Sequence, residues 1–207
     1  MALKLERISP YSGAYPEDTT FKSEVSGGEH IPVVQLRATC FMNNAAIILD
    51  EPHAKVHGGM SFHLSWVKTV TSPGTMDILF VVPDSDILPH LTIGYESQGE
   101  IRYTVYRAPV VSATGTAMQI YNRDENSSTL PGVLCYHTPT VTTTSSPMIF
   151  DWVAGAGKGV PSSERGTSER IMRRNTAYLF RINNQSNQSN TCSMRLDWYE
   201  QDYTPAA

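Results

Sequence analysis

The chain is poor in charge and cysteine, and it has no long apolar run. Charged residues make up 17% of its 207 positions. Ser, Thr, Asn and Gly fill the difference, a mixture typical of turn-rich β proteins and unlike long helices. The formal net charge is −4, so the chain as a whole has no field that draws it to nucleic acid. The cysteines, Cys40, Cys135 and Cys192, are odd in number and widely spaced. That argues against a disulfide framework and makes small buried thiols the expected state. No apolar stretch approaches the roughly 20 residues that a bilayer span needs, so no membrane partner is expected. Met1 to Arg7 lack the apolar core of a secretory leader, and none is expected. A chain this long buries roughly 70% of its unfolded surface, so it needs no cross-link or metal to be stable.

Chemistry-bearing motifs are equally scarce. Gly155-Ala156-Gly157-Lys158-Gly159 has the look of a phosphate loop but fails on spacing. Trp152 stands where the first Gly is needed, and Gly159 stands where Ser or Thr should hold the metal. His53, His57 and His63 are close in sequence, but Pro52, Gly58 and Gly59 argue against a helix that would align the first two. No cysteine or carboxylate pairing accompanies them, so they read as ordinary loop and strand-edge histidines. There is no Gly-x-Ser-x-Gly elbow. Asp84 and Asp86 sit beside Pro83 as a plain turn. The expectation is no enzyme and no cofactor. Asn126, Asn184 and Asn187 match the glycosylation acceptor pattern but read as polar turns.

What is present is two-residue periodicity broken by Pro and Gly. Val34 to Cys40, Phe62-Leu64-Trp66, Leu91-Ile93-Tyr95, Ile101-Tyr103-Val105, Tyr178-Phe180-Ile182 and Met194-Leu196-Trp198 each place apolar residues on one face of a strand. In the last, Arg195, Asp197 and Tyr199 are expected outward. Ser72-Pro73-Gly74 reads as a turn in which Pro presets one dihedral and Gly allows a positive one. Gln98-Gly99 reads as the turn of a hairpin. The segment 164–174 reads as a short helical turn or two, and 154–163 as a flexible loop. One unit is written twice: Tyr106-x-x-Pro109-x-Val111-Ser112-x-Thr114 returns as Tyr136-x-x-Pro139-x-Val141-Thr142-x-Thr144, an offset of 30 residues (136 − 106). Two such units suggest consecutive hairpins of one antiparallel sheet. The fold expected is therefore all-β: an antiparallel β-sandwich of jelly-roll size over 31–207, with an extended N-terminal arm over 1–30.

Two places suit partner contacts. The arm carries Tyr11 and Tyr15, and ordering it on a partner is the natural use of such a segment. The one basic concentration runs through Arg165, Arg170, Arg173, Arg174 and Arg181. Guanidinium groups pair bidentately with carboxylates, so this segment is fitted to an acidic protein surface. No aromatic residues are interleaved with it, which disfavours nucleic acid.

Two strings carry a resemblance. Gly115-Thr116-Ala117-Met118-x-x-Tyr121-Asn122-Arg123-Asp124-x-Asn126-Ser127-Ser128, followed by Tyr136-His137-Thr138-Pro139-Thr140-Val141, resembles small virion proteins of tailed bacteriophages. So does the ending, Asn175-Thr176-x-Tyr178-Leu179-x-Arg181-Ile182 with Leu196-Asp197-Trp198-Tyr199-Glu200. The resemblance covers roughly residues 56 to 200. It implies a structural component of the head, such as a decoration or cement protein made in the host bacterial cytoplasm and carried on the outer surface of the phage head. The implied partner is the major capsid protein, with self-association as a dimer or trimer at a symmetry axis. Another virion module (a tail, collar or fibre-attachment protein, binding host glycan) is the alternative. No catalytic residue is implied.

Overall fold

The computed structural model describes residues 39–42, 45–48, 51–143, 147–155 and 169–202. The arm, and with it Tyr11 and Tyr15, lies outside them, as does Arg165. The chain divides into two compact units, Met1–Ala54 and Lys55–Ala207. In the first, β1 (Thr39–Met42) pairs antiparallel with β2 (Ala45–Ile48).

A short helix, α1 (Glu51–His57), follows where none was expected. The residues read as breakers are its signals. Pro52 is tolerated in the first turn, where an amide proton has no helical acceptor. Gly59, with φ of 67°, ends the helix in the left-handed region. Its N–H donates to Val56 O at 3.0 Å, and Met60 N–H donates to Lys55 O at 2.9 Å. These are the two bonds of a Schellman cap.

The second unit is built of antiparallel strands. One sheet holds β3 (Ser61–Val70), β5 (Ile87–Ser97), β9 (Tyr121–Asn122), β13 (Arg170–Ile171) and β15 (Asn190–Asp202), in the order β13-β5-β15-β3-β9. The other holds β4 (Gly74–Val82), β6 (Ile101–Arg107), β8 (Thr116–Ala117), β10 (Leu134–His137), β12 (Met148–Ala154) and β14 (Thr176–Asn184), in the order β12-β6-β14-β4-β10-β8. A separate ribbon pairs β7 (Val110–Ala113) with β11 (Thr140–Thr143). The expectation of an all-β chain with antiparallel sheets holds.

The pairing is nested. The chain's two halves run back along each other, β3 against β15, β4 against β14, β5 against β13 and β6 against β12. The two large sheets share one core, in which Phe62, Leu64, Met194 and Trp198 meet Ile78, Phe80, Val105 and Phe180. The Trp198 ring stands edge-on to Phe80 at 5.4 Å. Burying each such aromatic is worth a few kcal/mol, about 25 cal/mol per Å² of apolar surface.

Three sequence expectations are corrected here. The Gln98-Gly99 turn does not close a hairpin, because β5 and β6 belong to different sheets. It is an arch between them, held by the Asn190 side-chain oxygen, which accepts from Gln98 N–H at 3.0 Å and Gly99 N–H at 2.9 Å. Gly74 does not use a positive dihedral; its requirement is space, since a Cβ there would lie 2.6 Å from Thr71 O. Asp197 and Tyr199 are buried, not outward. β15 is a central strand, and its second face is covered too: the Tyr199 ring stacks on His90 at 4.6 Å.

The duplicated unit is also rearranged. The copies are not neighbouring hairpins. β6 lies against β14 and β10 against β4, with matched registers: Tyr106 opposes Leu179 as Tyr136 opposes Leu79, and Val105 opposes Phe180 as Cys135 opposes Phe80. Leu79 and Leu179 oppose each other. Each copy then leaves its sheet through a left-handed residue before proline, Ala108 at φ 53° and Thr138 at φ 56°. Beyond the kinks Val111 opposes Val141, with Val110 to Thr143 and Ala113 to Thr140 on either side. The copies finally exchange their third segments, β12 pairing β6 and β8 pairing β10. These registers are those of an internal two-fold relation. Its axis runs between Leu79 and Leu179 and between Val111 and Val141. Both leucines alternate with core residues along their strands, so they face away from the shared core. They are nonetheless 1% and 0% exposed, so the outer face of this sheet carries a second buried layer.

Cys135 and Cys192 are free and buried, as expected for small core thiols. Burial pushes the Cys192 thiol up to about 11. Burial, helped by the Glu200 carboxylate, raises Cys135 further. The thiolate is the reactive form, so a raised thiol is silent at pH 8. A Cys40→Ser protein is expected to show no rapid reaction with Ellman's reagent while folded, and both remaining thiols in denaturant.

Candidate functional site

The basic segment is not helical over its described part. Arg170 and Ile171 pair with Leu91 and His90 as strand β13. Met172 N–H then donates to Pro89 O at 3.0 Å, and its side chain plugs the core at 2% exposure. That anchor throws Arg173 and Arg174 outward. The backbone beneath them is tied down on both sides: Arg173 N–H donates to the Tyr178 hydroxyl at 3.0 Å, and Asn175 N–H donates to Pro83 O at 3.0 Å. The tie after Arg174 requires φ of 49° at Asn175, a conformation that asparagine accepts more readily than most residues.

A cleft of about 620 Å³ opens at this end of the sheet. It is lined by Ser85, Asp86 and Leu88 on one side and Ile171, Met172, Arg173 and Arg174 on the other. Ile171 is 52% exposed at its mouth. Arg174 pairs with Asp86 at 2.8 Å, but both side chains are largely in solvent, so this bridge is weak and easily exchanged for another carboxylate. The site is therefore an apolar slot rimmed by two guanidinium groups on a fixed backbone.

The arginines do not form one patch. Arg173 and Arg174 line the cleft. Arg170 does not; its guanidinium lies 5.5 Å from the centre of the Phe150 ring on β12, a cation–π contact that links the ends of the two sheets. The buried Met172 stands between Arg170 on β13 and the two arginines of the cleft, and so separates neighbours that sequence proximity had grouped. Arg181 is apart from both, paired with Asp77. Beside them Glu169 accepts from the Tyr199 hydroxyl at 2.8 Å and pairs with His90 Nδ1 at 3.0 Å. Its carboxylate is thus committed to structure.

The remaining singled-out residues fall elsewhere. His63 stacks on Tyr121 at 5.8 Å. Asp84 and Asp86 lie in the β4–β5 turn. Among the described residues no three His, Cys, Asp or Glu side chains converge to hold a metal ion. No helix among them is long and apolar enough to cross a membrane. Asn184 is more than a turn residue: buried at 5% exposure, it donates to Val70 O at 3.0 Å and Gln188 O at 2.8 Å, and accepts from Ser186 N–H at 3.0 Å.

Several exposed apolar side chains escaped the sequence reading. Trp152 is 50% exposed and Val153 58% exposed, both on β12. The strand itself was readable, but its place at a sheet edge was not. Comparison with known protein families, with curated proteins and with solved structures finds no match.

Proposed function

We propose that this chain is a virion structural protein, a decoration or cement protein that binds the outside of the major capsid lattice of a tailed bacteriophage and stabilises the head. In this reading the nested strands are a β-sandwich of jelly-roll type, since first-with-last pairing across two sheets is the strand order of that fold. The observation that carries the proposal is the Arg173–Arg174 cleft, an exposed apolar slot with arginines on a rigid backbone and a replaceable carboxylate already in it. Arginine beside apolar surface is the composition of a protein-binding patch. The strings that resemble phage virion proteins supply the identity of the partner.

Co-sedimentation of the purified chain with heads lacking it tests the reading. Saturable binding at a copy number on the order of hundreds per head supports a lattice-binding role. Arg173→Glu with Arg174→Glu is expected to weaken binding by at least about tenfold, because two charge-assisted contacts reverse sign. Binding unchanged in that variant removes the cleft from the interface, and no binding to heads removes the decoration role. The alternative, a glycan-binding tail or collar module, would use exposed aromatic residues grouped on one groove. Trp152 and Tyr121 are exposed, but on outer strands of different sheets, so they form no shared platform.

A further inference from the structure

The two large sheets of this unit end in four outer strands, and three of them are two residues long: β8, β9 and β13. A very short edge strand offers too few free N–H and C=O groups to template pairing with another chain. β12 is different. It has seven residues and, among the described residues, pairs only with β6. It contains no lysine and no proline, and its one charge, Asp151, is held bidentately by Arg102 at 2.8 and 2.7 Å. The register shift between Met148 and Phe150 bends only its first residues. From Phe150 to Ala154 the strand presents a regular outer edge flanked by apolar side chains on both faces, Trp152 on the core side and Val153 on the other. Tryptophan is the residue that most often carries the binding energy of an interface.

We propose that β12 is a self-association edge, through which two copies of this chain join by antiparallel pairing of β12 with β12 about a two-fold axis, with Trp152 as the anchor. The second copy is the occupant for three reasons. A strand laid antiparallel on itself is self-complementary, and a two-fold then satisfies both copies at once. The other three outer strands of the two large sheets are two residues long, so head-to-tail pairing between these sheets has no acceptor that matches β12 in length. Asp151 is already neutralised by its own Arg102, so apposition brings no bare like charges together on a chain of net charge −4. The inference does not rest on the capsid reading; it needs only the edge and its side chains.

Sedimentation of the full chain over a range of concentrations, with hydrogen exchange of the amides of 150–154, tests it. The expected result is a reversible dimer in which those amides become protected as concentration rises. Trp152→Ala should weaken the dimer on the order of thirtyfold, as loss of a central aromatic anchor does. Val153→Lys places an edge-blocking charge where the side chain is already 58% exposed, and should weaken it with an unchanged circular dichroism spectrum. Val67→Lys, at a 63% exposed position on β3, should leave the dimer intact. A chain that stays monomeric into the high micromolar range overturns the proposal. So does a dimer whose dissociation constant moves in neither β12 variant.

Discussion

Replacing Asp77 with alanine is expected to lower the unfolding free energy by about 3–5 kcal/mol, the cost of stranding a partly buried cation without its partner. Asp77 and Arg181 oppose each other on β4 and β14. Their carboxylate and guanidinium form a fork-to-fork pair at 2.7 and 2.8 Å. The side chains are only 10% and 18% exposed, so water cannot replace the lost contact cheaply. The Asp77 hydrogen bond also raises the Arg181 pKa, so the guanidinium stays charged at any working pH. The internal two-fold adds a sharper expectation. The positions that correspond to Asp77 and Arg181 across the axis are Ala177 and Val81, which oppose each other in the same ladder. The molecule thus already fills this geometry once with an ion pair and once with an apolar pair. The double variant Asp77→Ala with Arg181→Val should therefore recover most of the loss and lie within about 1 kcal/mol of the parent, as replaced buried pairs often do. Urea unfolding of the two variants is the measurement. A double variant as unstable as Asp77→Ala alone would show that the ion pair does more than neutralise itself.

That symmetry marks the boundary of what the residues disclose unaided. The offset of 30 between Tyr106 and Tyr136 is visible because four residue types recur at fixed spacing. Its counterpart, Leu79-Phe80 against Leu179-Phe180, is an identity of two residues, which chance produces anywhere. Only the registers link them, and pairing between segments 100 positions apart leaves no local signal. Periodicity of two correctly placed Phe62, Leu64, Phe180, Met194, Leu196 and Trp198 in the core, because alternation follows from strand geometry alone. It failed at Asp197 and Tyr199 because alternation assigns a face without saying whether that face is covered. Gln98-Gly99 misled for a related reason: turn residues allow the chain to reverse, but they do not decide whether it returns to the same sheet or crosses to the next. Pro52 and Gly59 carried both meanings, breaker and cap, and the distinction lay in what preceded and followed them. At the candidate site the composition was readable and the grouping was not. Arg170 lies on β13 and Arg173 beyond the buried Met172 that ends the strand, so arginines close in sequence serve different surfaces.

Glu200→Ala is expected to cost about 3 kcal/mol, since it strands two buried donors at once. Glu200 is 4% exposed on β15. Its carboxylate accepts from Gly132 N–H at 2.9 Å, Val133 N–H at 3.3 Å and the Trp198 indole N–H at 3.1 Å. Its own N–H donates to Met60 O at 2.9 Å. One residue thus connects the largest core aromatic and the loop that delivers β10 through its side chain, and Met60, just before β3, through its backbone. Alanine keeps the backbone bond and leaves the other three donors without this acceptor, two of them, on Val133 and Trp198, at buried residues. Glutamine keeps the shape and one acceptor oxygen but replaces the other with a donor facing donors. Charge-assisted bonds are roughly twice as strong as neutral ones, so Glu200→Gln should fall between the parent and alanine, at about 1–2 kcal/mol. The two variants separate packing from hydrogen bonding, because a packing role alone would make glutamine nearly silent. The effect should also be local. Hydrogen exchange in Glu200→Gln should rise first at Gly132 to Cys135 and spread to β4, the strand that β10 pairs with, while β5 and β6 keep their protection. Uniform loosening across both sheets would mean that Glu200 holds the core as a whole and not the approach to β10.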